Sequence, residues 1–138
     1  METGSSVFIE GNSEGRRRLE LTTQQLDQVL AENGRSATPV DLIKLDVQGY
    51  ELEVLKGAEQ ALARTDIVIA EASIMQINQG CPLIADVVAY LTQRDFVLVD
   101  LVSQVRFANG ALWQTDLVFA RSTSRFRLKT GESLNRQD

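Results

Sequence analysis

The run from Asp41 to Gly57 constrains this chain most: an apolar strand ends in an acidic residue and turns through a glycine into an amphipathic helix. Leu42, Ile43, Leu45 and Val47 make the strand, Asp46 its acidic end and Gly49 the turn, while Leu52, Leu55, Ala58 and Leu62 form one apolar stripe at helical spacing. This is half of a βαβ unit. Ligands of open α/β sheets bind outside the carboxyl ends of the strands, so Asp46, Gln48 and Glu51 are expected at a reactive rim.

The rest of the chain extends that unit. Pro39 to Val47 is expected as the strand and Tyr50 to Arg64 as one helix. Before them, Val7-Phe8-Ile9 reads as a weak strand or an arm, and Leu21 to Leu30 as a short helix with a Thr cap, stopped at Asn33-Gly34. Ile67 to Ile74 is nearly continuously apolar, the pattern of a strand covered on both faces. Cys81-Pro82 is expected to open a helix with proline in its first turn, followed by Leu83, Ile84, Val87, Val88 and Leu91 on one face. Phe96 to Val102 and Leu112 to Ala120 read as an antiparallel hairpin turning at Asn109-Gly110. The expected fold class is therefore α/β, with two parallel βα units and a closing antiparallel hairpin. Residues 1–20 are assigned to an arm or weak strand, 21–121 to the α/β unit, and 122–138 to a polar tail in which Phe126 and Leu128 dock.

Composition narrows the chemistry. The net charge is -5 with both signs interspersed apart from Arg16-Arg17-Arg18, which reads as solvated, so neither nucleic acid nor a membrane surface is expected as a partner. No run of about 18 apolar residues and no signal-type start occurs, and the expected compartment is the cytoplasm. The sequence contains no histidine, which excludes His-based triads and His-ligated metal and leaves carboxylates, Lys, Tyr and the thiol of Cys81 for proton chemistry. Cys81 itself reads as a small apolar residue at a helix start.

Among the carboxylates, Asp46 is either a helix cap or a site residue. Glu51 falls in a first helical turn, where the helix dipole favours a negative charge in any case. Glu71 interrupts an apolar strand and must reach water or a partner. Asp46 and Glu71 would end adjacent parallel strands, where two carboxylates can raise one another's pKa or share a metal ion. Lys44 alternates with Asp46 and is placed to pair with an acidic neighbour.

The spaced set Lys44-Leu45-Asp46-x-Gln48-Gly49-x-Glu51-x-x-Val54-Leu55-x-Gly57, together with Gly110-Ala111-Leu112-Trp113-Gln114-Thr115-Asp116-Leu117-Val118-Phe119-Ala120-Arg121, resembles FkbM-type S-adenosylmethionine-dependent methyltransferases. The likeness runs from about Ser5 to Phe126. It implies the carboxy-terminal half of a class I, Rossmann-like methyltransferase sheet, in which the final strand inserts antiparallel between its neighbours. It also implies O-methyl transfer, with Asp46, Glu51 and Glu71 as catalytic candidates and Gln48, Tyr50 and Trp113 as substrate-binding ones. Family members often carry Glu where Gln48 stands. The cofactor implied is S-adenosylmethionine, but the glycine-rich turn of the type Asp-x-Gly-Ala-Asn-x-Gly that would hold it does not occur in this sequence, so no cofactor-binding or metal residue is assigned. The resemblance thus implies a truncated domain whose first strand is missing, leaving Leu42 to Val47 with an open edge. A homodimer through that edge, or an amino-terminal half-domain as partner, is expected. The alternatives are a non-catalytic oligomeric or small-ligand-binding module and one piece of a split methyltransferase.

Overall fold

The computed structural model describes residues 20–76 and 80–127. They form helix α1 (Leu26–Glu32), strand β1 (Val40–Leu45), helices α2 (Glu51–Lys56) and α3 (Glu59–Ala63), strand β2 (Thr65–Ser73), helix α4 (Ile84–Thr92) and strands β3 (Phe96–Arg106) and β4 (Leu112–Arg121). The expected strand at Val7-Phe8-Ile9, Arg16 to Arg18 and Leu128 lie outside the described residues.

The four strands make one mixed sheet in the order β1-β2-β4-β3. β1 and β2 run parallel, with Leu45 opposite Ala70, and β4 runs antiparallel to both β2 and β3, with Glu71 opposite Asp116. The α/β class, the parallel pair and the hairpin are as expected. At the hairpin end Gly110 has φ 84°, a left-handed conformation that suits glycine, and Asn109 Oδ1 accepts the Ala111 N–H at 3.0 Å.

Strand alternation divides the sheet into two faces. Ile43, Leu45, Val68, Ala70, Ala72, Leu117, Phe119 and Phe96 share one face and are buried against Leu55, Ala58, Ala61 and Leu62 of the α2–α3 region and Val87 and Leu91 of α4. Leu42, Lys44, Ile67, Ile69, Glu71, Asp116 and Val118 share the other, where side chains are partly or largely exposed. The expectation that Ile67 to Ile74 is covered on both faces is thus corrected: β2 is buried at every second residue over its carboxyl half, because the described helices all pack on the first face.

Three helix boundaries also differ from expectation. The single helix over Tyr50 to Arg64 is two, broken at Gly57, where an added Cβ would stand 3.3 Å from the Gln25 side chain and where the carbonyl accepts the Asp27 N–H at 3.1 Å. Asp27 then caps α3 from a distance, its carboxylate accepting the Gln60 and Ala61 N–H groups at 2.8 Å each. The same contact explains why the expected Thr cap is unused: α1 starts at Leu26, after Gln25, with no side-chain cap. Its end at Asn33 and Gly34 (φ 68°) is as expected. Finally, Pro82 precedes the α4 cap position, Leu83, whose N–H is accepted by Asp86 at 2.8 Å. None of the described helices is long and apolar enough to cross a membrane.

Candidate functional site

The acidic end of β1 and the middle of the β2–β4 pair meet on the open face. Because Leu45 is opposite Ala70, the next residues, Asp46 and Glu71, stand side by side, and the antiparallel register adds Asp116 on the far side of Glu71. Lys44, one alternation back along β1, lies 3.5 Å from Asp116 and 3.9 Å from Asp46. Four charged side chains, from three strands and the residue that follows β1, therefore share one patch. Asp116 was not singled out by its sequence neighbourhood; only the register of β4 against β2 brings it in.

The turn after β1 supplies the fifth member. Gln48 and Gly49 both have positive φ, 54° and 98°, and the Tyr50 N–H closes the turn on Val47 O at 3.3 Å. This aims the Gln48 amide back across the strand ends, with Nε2 3.0 Å from Asp46 Oδ1 and 3.1 Å from Glu71 Oε2. Glu51 stands behind the turn, buried, its Oε1 accepting the Val47 N–H at 3.0 Å and the Gly49 N–H at 3.2 Å. Its carboxylate holds the turn from inside. Asp46 forms no cap of α2, which begins after Tyr50 without a side-chain cap.

Electrostatics single out Glu71. Burial first, then the like charges of Asp46, Glu51 and Asp116, push its carboxyl up to about 7, with Lys44 acting in the opposite direction. A carboxyl with this pKa is half ionised near neutrality, so it can take or give a proton there. Among the described residues, no group of three or more acidic, Cys or His side chains is arranged to hold a metal ion.

The remaining candidates lie apart from this patch. Tyr50, on the exposed side of the turn, borders an open cavity of about 540 Å³ between the starts of α2 and α4, whose wall includes Leu52, Lys56, Cys81 and Pro82. Cys81 is buried in that wall. Trp113 belongs by alternation to the helix-covered face; it stacks on Phe107 with ring centroids 5.3 Å apart, and its buried Nε1–H has no hydrogen-bond partner among the described residues. The structure therefore brings together Asp46, Gln48 and Glu71, with Lys44 and Asp116, and backs them with Glu51. It does not bring Trp113 to them.

No curated protein and no solved structure matches the chain. Residues 1–98 match the methyltransferase FkbM domain, a stretch that holds the Lys44–Gly57 turn and Glu71 but not Asp116. On that match over most of its length, the chain belongs to the FkbM methyltransferase domain family.

Proposed function

We propose that the open-face patch is the acceptor side of an S-adenosylmethionine-dependent O-methyltransferase site, and that the chain is the carboxy-terminal half of a Rossmann-like methyltransferase fold. The family match supports the reaction class, and the strand order, with the last strand antiparallel between β2 and β3, supports the fold. The observation that carries the reading is Glu71: a half-buried carboxyl with a pKa of about 7, beside Asp46 at the carboxyl ends of two parallel strands. In this role Glu71 accepts the proton of an acceptor hydroxyl as its oxygen becomes nucleophilic. Asp46 and Asp116 keep Glu71 basic enough for that task at neutral pH, and Lys44 limits the accumulated negative charge.

Among the described residues, the turn after β1 does not fit the cofactor itself. A nucleoside or carboxylate cradle needs free backbone N–H groups in a glycine turn, whereas the Val47 and Gly49 N–H groups of this turn are taken by Glu51. No step is therefore assigned to the cofactor, and in this reading its cradle comes from a further polypeptide segment seated along the outer edge of β1. Without that segment, β1 is placed to pair with β1 of a second copy, antiparallel about a two-fold axis, so light scattering should show a dimer.

Calorimetric titration tests the division of labour. The isolated chain should show no saturable heat with S-adenosylmethionine at ~100 μM, a level at which micromolar binding saturates. A saturating isotherm would overturn the half-site reading. In the complemented enzyme, Glu71→Gln should lower methyl transfer by about 10²-fold or more without changing cofactor affinity. An unchanged rate would remove Glu71 from the mechanism.

A further inference from the structure

Gln48 occupies a backbone conformation that only a minority of non-glycine residues adopt, and its side chain reaches both Asp46 and Glu71. An amide nitrogen carries two hydrogens and accepts none. At 3.0 and 3.1 Å it therefore donates one N–H to each carboxylate and cannot take a proton from either. The turn that fixes this aim is itself fixed, by the buried Glu51 carboxylate on two backbone N–H groups and by the Tyr50-to-Val47 bond. The order of dependence runs from Glu51 to the turn, from the turn to the Gln48 amide, and from the amide to the two carboxylates.

Resting on the acceptor-site reading above, we propose that Gln48 is the positioning residue of this site: its amide spans Asp46 and Glu71 and holds Glu71 by Oε2, turning Oε1 toward the acceptor hydroxyl. A neutral bridging donor suits this patch for a physical reason. Lys44 of β1, Asp46 just after it, Glu51 of α2 and Asp116 of β4 all act on Glu71, and three of these four are acidic. A carboxylate at position 48 would add a further like charge and could donate to neither neighbour, so Asp46 and Glu71 would separate or share a proton. A hydrogen bond from the amide favours the charged form of Glu71 instead.

The test reads the Glu71 carboxyl directly, by carbon-13 NMR titration of the full chain with no cofactor added, in Gln48→Ala, Gln48→Asn and Gln48→Glu. Removal of the donor in Gln48→Ala should raise the Glu71 midpoint by about 1 pH unit, a tenfold change in proton affinity. Gln48→Glu should raise it further. Gln48→Asn, one methylene shorter, should reach one carboxylate and fall between Gln48→Ala and the unchanged protein. Circular dichroism identifies any variant that fails to fold, and the other two then decide the outcome. A residue that merely stabilised the turn would lower the melting temperature in all three and leave the Glu71 midpoint in place, which would overturn the proposal. The titration needs no methyl donor, so it fails or succeeds independently of the methyltransferase reading. If the midpoint shifts as stated while the complemented enzyme proves indifferent to Glu71→Gln, the bridge stands and the reaction assignment falls.

Discussion

The two faces of the sheet are made by the same four strands and do opposite things. On the covered face, Val68, Leu117 and Phe119 are fully buried beneath α2, α3 and α4. On the other face, the residues one position along, Ile67, Ile69 and Val118, remain partly exposed and lead toward Lys44, Glu71 and Asp116. Parallel strands are normally covered on both sides. What differs between the faces is therefore cover, not strand composition. A carboxyl such as Glu71 can stand mid-strand because its face borders water, while burial is still enough to displace its pKa. The covered face secures the register that places Glu71 between Asp46 and Asp116, and the open face carries the proposed acceptor site.

The largest expected effect breaks the comparison if it is absent. Phe119→Ala should cost about 3–5 kcal/mol, because the side chain is wholly enclosed and its loss leaves a cavity. Ile69→Ala, on β2 facing the other way, should cost on the order of 1 kcal/mol, since much of the transfer energy is never gained at a partly exposed site. Urea denaturation of both variants gives the two values. Equal losses would mean that the second face is covered in solution.

A smaller effect sharpens the comparison through pH. The folded state raises the Glu71 carboxyl from 4.5 to about 7, so between these values folded chains bind more protons than unfolded ones. Stability from this group is thus greatest in acid and declines as pH rises from about 4.5 to about 7, after which it is level. Glu71→Gln removes the dependence. Relative to the unchanged protein, the variant should gain on the order of 1 kcal/mol between pH 5 and pH 8, a value kept small because water screens a half-exposed carboxylate. A gain in the opposite sense would place Glu71 among stabilising ion pairs instead.

How far the sequence disclosed this arrangement depends on the range of the interactions involved. Local patterns were enough for β1, β2, α4 and the hairpin, because strand runs, the 3.6-residue period and Asn109-Gly110 each act over a few residues. The pairing of Asp46 with Glu71 was legible too, since two consecutive strands of a parallel unit end at the same rim. Asp116 was not, because its place depends on the β2–β4 register across more than forty residues of chain. The break at Gly57 escaped for the same reason: the apolar stripe continues through it, and only the approach of Gln25 and Asp27 ends the helix there. The half-covered state of β2 could not be read from its composition, which suits burial on both faces equally well.

Asp46→Asn should give the smallest change in stability and the finest probe of the open face. Asn retains an oxygen in the place of Oδ1 that can accept from Gln48, so the bridge survives, and the 3.9 Å contact with Lys44 is an exposed ion pair of little energetic weight. The stability change should be below about 1 kcal/mol in either direction. The Glu71 carboxyl should nevertheless move down, because the like charge of Asp46 is the second largest cause of its elevation. It should not return to the ordinary carboxylate value, since burial, the largest cause, is untouched. Burial is set by the β1–β2–β4 packing and the charge by the turn after β1, so this one substitution separates what the sheet contributes to the site from what the loop contributes. A Glu71 midpoint that falls all the way to the value of a free carboxyl would show that the patch is held up by charge alone and that its face is fully wet.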